Sequence, residues 1–150
     1  LSGPEPQRTF LEEILIRELK DYDGKIIFVR GVVEENMKIE KVDNYTYYNF
    51  MTSEELQTKI NECEKLICRS GYTTIMDLEK KQKKALLIPT PGQYEQEYLA
   101  KRLQKKEMLP FVKQEDFKIS ALDKIDLFNG LPEIIEEVNW KKLFCLFEGE

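Results

Sequence analysis

The sequence predicts an α/β domain, a parallel sheet with helices on both faces. Three observations carry this expectation. Strand-like and helix-like stretches alternate along the chain, which predicts right-handed crossovers between parallel strands. The runs Lys25-Ile26-Ile27-Phe28-Val29-Arg30, Lys65-Leu66-Ile67-Cys68 and Ala85-Leu86-Leu87-Ile88 are continuously apolar at their centres, as suits strands covered on both sides. Finally, the last two of these runs lead through short turns rich in Gly, Pro, Ser and Thr directly into helical patterns, and such corners gather loops and helix N-termini beyond the carboxyl ends of the strands.

The elements follow in order. After the loop Ser2-Gly3-Pro4-Glu5-Pro6, residues Thr9 to Lys20 carry a helical stripe of Phe10, Leu11, Ile14, Leu15 and Leu19, and Gly24 stops it. A loop of this kind is expected to follow a strand, so the stretch from 1 to 150 is read as one continuous domain excised from a longer chain. Next comes the strand between Gly24 and Gly31, then a polar surface connection over 34–43, then Tyr45 to Phe50, whose aromatic and β-branched content predicts a second strand. Thr52-Ser53-Glu54-Glu55 opens a helix, because a hydroxyl cap and early acids satisfy free N–H groups and the dipole. Leu56 and Ile60 form its apolar face. The strand over 65–68, a helix from Thr74 to Lys81 and the strand over 85–88 follow. Glu95 to Lys106 is helical with Tyr98, Leu99 and Leu103 inward, Leu109 to Val112 is a short strand, and the pattern beyond Lys113 is helical through Leu122, Ile125, Leu127 and Phe128. The tail from Leu131 to Phe147 is apolar, with Trp140, Phe144 and Phe147. It suits a helix packed on its own sheet or on another domain, or a docking surface.

Size and charge bound the function. A chain of 150 residues buries about two thirds of the surface it exposes when unfolded, enough for one core. The net charge is −5 from 23 basic and 28 acidic residues, with the signs interspersed, and nothing advertises nucleic acid. Lys80-Lys81-Gln82-Lys83-Lys84 is the densest basic cluster, and it lies where cations complement a helix C-terminus. Cys63, Cys68 and Cys145 are irregularly spaced and there is no His. A zinc site or disulfide framework is therefore not expected, a reducing, cytoplasmic compartment fits, and the commonest general base is absent. No apolar run approaches the roughly 18 residues of a membrane span.

Two corners bear the chemistry. In Arg69-Ser70-Gly71-Tyr72-Thr73-Thr74, Gly71 lets backbone approach a ligand, while Ser70 and the free N–H groups of a helix start offer an anion site. Asp77, one turn on, suits a vicinal diol such as a ribose. The same pattern also describes a corner in which Thr73 or Thr74 caps the helix and Asp77 meets the dipole. In Pro89-Thr90-Pro91-Gly92-Gln93-Tyr94-Glu95-Gln96-Glu97, the amides and carboxylates of Gln93, Glu95, Gln96 and Glu97 suit sugar hydroxyls, each of which both donates and accepts. The first loop adds Ser2, Gly3 and Arg8 as phosphate contacts.

These residues resemble the C-terminal half of a glycosyltransferase of the GT-B fold, the MurG-like group that uses UDP-N-acetylglucosamine (glycosyltransferase family 28 C-terminal domain). That family reads Ser-Arg-x-Gly-x-x-Thr-x-x-Glu, and Cys68, Arg69, Gly71, Thr74 and Asp77 fall in register, with Cys for Ser and Asp for Glu. The similarity continues through Pro89 to Glu95, Gln96 and Ala100, while Ser2, Gly3 and Arg8 match the family's Gly-Gly-Ser loop loosely. It spans roughly residues 1 to 115.

The resemblance implies a Rossmann-like sheet, ribose on Asp77, phosphate beside Ser2, Gly3, Arg8, Ser70 and Gly71, and uracil on the backbone at Phe50 and Met51. It also implies sugar contacts from Gln96 and Glu97, with Glu97 standing where the family has Gln, and Thr74, Gln93 and Glu95 are expected to join them at the sugar. The expected function is the donor domain of an inverting hexosyltransferase that needs no metal or other cofactor. A separate N-terminal domain would bind the acceptor and supply the catalytic base, so this domain alone would bind without turnover. The full-length protein would be cytoplasmic, with peripheral membrane association. The alternatives are a UDP-sugar epimerase or hydrolase on the same two-domain plan, or a non-catalytic nucleotide-sugar-binding subunit of a membrane-associated transferase.

Overall fold

The computed structural model describes residues 1–32 and 34–132. The order of elements is α1 (Gln7–Glu18), β1 (Ile26–Val29), β2 (Ile39–Val42), β3 (Tyr45–Tyr48), α2 (Ser53–Glu62), β4 (Ile67–Cys68), α3 (Tyr72–Lys80), β5 (Leu86–Leu87), α4 (Tyr94–Lys105), two 3-10 turns (Gln114–Asp116 and Ile119–Asp123) and α5 (Lys124–Leu127). The expected tail from Leu131 to Phe147, with Trp140, Phe144 and Phe147, lies outside the described residues from 133 onward.

The α/β class holds, with one correction. The strands form two hydrogen-bonded groups, β1-β3-β2 and β4-β5, where one sheet was expected. β1 pairs with β3 in parallel and β4 with β5 in parallel, whereas β2 runs antiparallel to β3. β2 lies inside the stretch expected to be a plain surface connection. Its residues Ile39, Glu40, Lys41 and Val42 are all exposed, so no buried face marked it as a strand. A tight turn joins it to β3, with Asp43 at φ 51°, a conformation Asp tolerates better than most residues.

Helices do lie on both faces. Leu11, Leu15 and Leu19 from one side of α1 pack with Phe28, Tyr47, Leu86, Ile88, Phe117, Leu122 and Ile125. Leu78 of α3 and Ala100 of α4 pack with Ala85, Leu87, Leu109 and Leu131. Residues 85–88 thus send alternate side chains to opposite layers, and all four are fully buried. This is what their unbroken apolar run predicts. The exposed Phe10 takes no part in the α1 stripe.

Other expectations shift in detail. Leu109 to Val112 makes one parallel bridge, Leu87 to Phe111, in place of a strand. The residues after Lys113 form 3-10 turns and a four-residue helix, although the buried Phe117, Ala121, Leu122 and Ile125 fall at helical spacing. Tyr98 is half exposed and Ala100 is the buried residue of α4. The expected cap of α2 is present as a full capping box, in which Thr52 Oγ1 accepts from Glu55 N and Glu55 Oε2 accepts from Thr52 N. α2 has no buried residue, so this capping box matters more to it than to a helix with a buried face. Thr52→Ala is expected to cost about 1 kcal/mol, read as a shift of the urea midpoint at unchanged slope.

Candidate functional site

Three loops meet at the carboxyl ends of β4 and β5, and one arginine ties them. Arg69 follows β4 directly and is only 3 % exposed. Its Nε donates to Ser2 O, its Nη1 to Ile88 O and Pro89 O, each at 3.2 Å, and its Nη2 to Gln7 O at 3.0 Å. The fork geometry of guanidinium suits such divergent acceptors. Burial pulls its pKa down to about 10, which still leaves a cation at neutral pH. No carboxylate pairs with it among the described residues. The first loop, the β4–α3 corner and the β5–α4 corner are therefore fixed around one positive charge.

Polar side chains complete the junction. Ser70 is fully buried and its Oγ donates to Gln96 O at 2.8 Å. Gln96 turns its amide inward, with Oε1 accepting from Thr90 N at 3.0 Å and Nε2 donating to Gln93 Oε1. Glu97 Oε1 accepts from Gly92 N at 3.2 Å, and its other oxygen lies 3.8 Å from Lys101 Nζ. Thr90 is 1 % exposed, and its hydroxyl has no hydrogen-bond partner among the described residues. Gly3 sits over it at φ +113°, where a Cβ would come 3.3 Å from Thr90 Oγ1. The backbone angle favours glycine there, and a Cβ would also press on Thr90.

The anion-binding groups divide into engaged and open ones. In the first loop Glu5 takes both Arg8 nitrogens through Oε1, and Thr9 N and Oγ1 through Oε2. These bonds, Thr9 first and Arg8 second, hold its carboxyl below the usual range. The Arg8 guanidinium expected to meet phosphate therefore meets an internal carboxylate. Pro4 and Pro6 also remove two N–H groups from this loop. The start of α3 is open. Its cap is Gly71, where Thr73 or Thr74 was expected, and no side chain caps the helix, so its first N–H groups are free of side-chain acceptors. Thr74 Oγ1 lies 3.8 Å from the Cβ position of Gly71.

Asp77 is exposed one turn further along α3, with no hydrogen-bond or ion-pair partner for its carboxylate among the described residues. Glu95 is likewise exposed at the start of α4. The site thus combines an uncapped helix start, a buried cation and two open carboxylates.

The expected uracil positions, Phe50 and Met51, lie between β3 and α2. Phe50 N donates to Asn49 Oδ1 at 2.9 Å, and Met51 lines a small hollow of about 170 Å³ with Tyr48, Glu55, Thr58 and Lys59. A larger hollow of about 340 Å³ lies between Arg30, Lys38, Ile39, Tyr47 and Asn49. Arg30 there is held by Glu12 with contacts down to 2.6 Å, and its guanidinium stacks 4.6 Å from the Tyr47 ring centre. Cys68, which stands for a family Ser, is pushed up to about 12 by burial. Its thiol stays protonated and is no nucleophile at neutral pH. Sequence reasoning missed the roles of Arg69, Thr90 and Glu5. The available signal was an arginine at a strand end with no acid beside it.

Residues 9–127 match the glycosyltransferase family 28 C-terminal domain. The match covers well over half of the chain, and the chain belongs to this family. No curated protein matches it. The family carries the donor-binding role of a glycosyltransferase, and it implies nucleotide-sugar binding together with an N-terminal partner domain. Among the described residues no helix is long and apolar enough to cross a membrane.

Proposed function

We propose that the chain is the excised C-terminal part of a two-domain inverting hexosyltransferase and binds UDP-N-acetylglucosamine as donor. The observation that carries this reading is the free Asp77 carboxylate one turn beyond the uncapped start of α3. The diphosphate lies over the N–H groups of Gly71 to Thr74, drawn by the helix dipole and the Arg69 charge. Asp77 accepts hydrogen bonds from both ribose hydroxyls. Ser2 and Gly3 border the phosphate. Phe50, through its carbonyl, and Met51 offer backbone to uracil.

Toward the sugar, Thr74, Gln93, Glu95 and Glu97 provide hydroxyl partners. The inward turn of Gln96 gives it a second duty, since it fixes the backbone of Thr90 and the side chain of Gln93. As UDP departs, the helix start and the buried cation stabilise its growing charge. The acceptor and the base belong to the N-terminal domain, and the whole enzyme works in the cytoplasm at a membrane surface.

Calorimetric titration of the isolated domain tests the reading. UDP and UDP-N-acetylglucosamine are expected to bind one to one without turnover, and uridine much more weakly. A folded domain that binds neither nucleotide at millimolar concentration would sink it.

A further inference from the structure

β2 ends its sheet, and its outer edge is open among the described residues. It is the last strand in the order β1-β3-β2, and all four of its residues are exposed. Hydrogen bonds on both sides of β3 fix which way each residue of β2 turns. Ile26 N and Arg30 N donate to Asn44 O and Tyr48 O, whereas Asn49 N donates to Lys38 O. β3 therefore turns Asn44, Thr46 and Tyr48 toward β1, and Tyr45, Tyr47 and Asn49 toward β2. With Ile39 opposite Tyr48 and Glu40 opposite Tyr47, the backbone of Lys38, Glu40 and Val42 faces β3. The N–H and C=O groups of Ile39 and Lys41 face outward.

The side chains along this edge, Met37-Lys38-Ile39-Glu40-Lys41-Val42, are complementary to themselves in one register. Two copies that meet antiparallel about a twofold axis must set outward residues opposite outward residues, so the axis passes through a residue and its own copy. With Lys38, Glu40 or Lys41 on the axis, that residue meets its own charge, which is unfavourable directly across a sheet. With Val42 there, the ladder runs into the turn at Asp43 and Asn44, where Asp43 has φ 51°. Ile39 on the axis avoids both faults. Glu40 then faces Lys38 of the second copy on each side of the axis, Lys41 faces Met37, and Ile39 faces Ile39. Ile39 is 54 % exposed and ends the cross-strand row Val29, Tyr48, Ile39, so this register continues that row into its copy and covers the isoleucine.

We propose that β2 is a self-association edge, at which a second copy of this chain adds its own β2 antiparallel with Ile39 on the twofold axis. The pairing joins two three-stranded sheets into one and satisfies the outward backbone groups of Ile39 and Lys41. The charges select the partner, because the Glu40 and Lys38 pairs form twice only with an identical edge. Little opposes the exchange of partners that this requires. Lys38 pairs with Glu34 within one chain, their side chains 72 % and 38 % exposed, and Glu40 lies 3.9 Å from Arg30 at 65 % exposure. Exposed ion pairs of this kind contribute little to stability. The inference is independent of which donor the domain binds.

Sedimentation velocity of the 150-residue chain across micromolar concentrations tests it, together with charge reversals and cysteine cross-linking. The parent is expected to form a dimer. Lys38→Glu and Glu40→Lys should each raise its dissociation constant by roughly tenfold or more, because each sets like charges opposite one another twice. The double variant carrying both changes restores opposite charges in the same register and should dimerise like the parent, a recovery that a damaged fold would not give. Under mild oxidation Ile39→Cys is expected to link two chains through position 39, identified by peptide mapping, since facing Cα atoms about 5.5 Å apart suit a disulfide. Lys41→Cys should not link through position 41, because the register sets those positions four residues apart, roughly 13 Å. A parent that stays monomeric, a dimer that survives both single reversals, a double variant that fails to recover, or a link through position 41 would each overturn the proposal.

Discussion

Replacing Arg69 with Met is expected to lower the unfolding free energy by at least about 3 kcal/mol, since each carbonyl left unsatisfied in a buried place costs about 1–3 kcal/mol. Four carbonyls lose their donor together, those of Ser2, Gln7, Ile88 and Pro89. In a domain of this size that corresponds to a thermal midpoint lower by roughly 10 °C. Met keeps most of the apolar stem, so the loss reports on hydrogen bonds rather than on a cavity. Arg69→Lys separates charge from geometry. One ammonium cannot serve four acceptors spread over two separate segments, so Lys is expected to recover less than half of the loss. If both variants unfold within 0.5 kcal/mol of the parent, roughly the scatter of ordinary surface substitutions, the arginine does not tie the loops.

That role shows which parts of this domain its sequence displays. The strand-turn-helix corners are legible because residues 85–88 are wholly buried, and their composition says so without reference to anything distant. The capping box of α2 is legible because its partners are three residues apart. Arg69 is different. Its acceptors are backbone groups 19 to 67 positions away, and backbone acceptors leave no mark in a sequence. Glu5 hides for another reason. It reads as one more acid in a loop until the chain folds it onto Arg8 and Thr9. The split between β1 and β4 was equally hidden, because apolar runs reveal that strands are covered and not which strand lies beside which.

Asp77→Ala is expected to weaken UDP binding by one to two orders of magnitude while leaving inorganic pyrophosphate binding unweakened, or slightly tighter. The size follows from the loss of two charge-assisted hydrogen bonds to neutral hydroxyls, each worth about 1.5–3 kcal/mol before water competes for the emptied site. The selectivity follows from position. Asp77 is exposed and free, whereas the groups that attract phosphate are the α3 N–H groups and the buried Arg69 cation. Removing an acid from this helix also removes repulsion toward a polyanion, so a purely electrostatic Asp77 would make both ligands bind more tightly. A ribose-binding Asp77 weakens only the nucleoside diphosphate, because pyrophosphate feels nothing but the relieved repulsion. 2′-Deoxy-UDP sharpens the distinction, because its affinity for the parent should already be reduced and the substitution should cost it less than it costs UDP. Titrations of the three ligands against parent and variant read all of this directly. Equal losses for UDP and pyrophosphate would mean that the substitution damages the corner itself, and unchanged UDP affinity would remove Asp77 from the donor site.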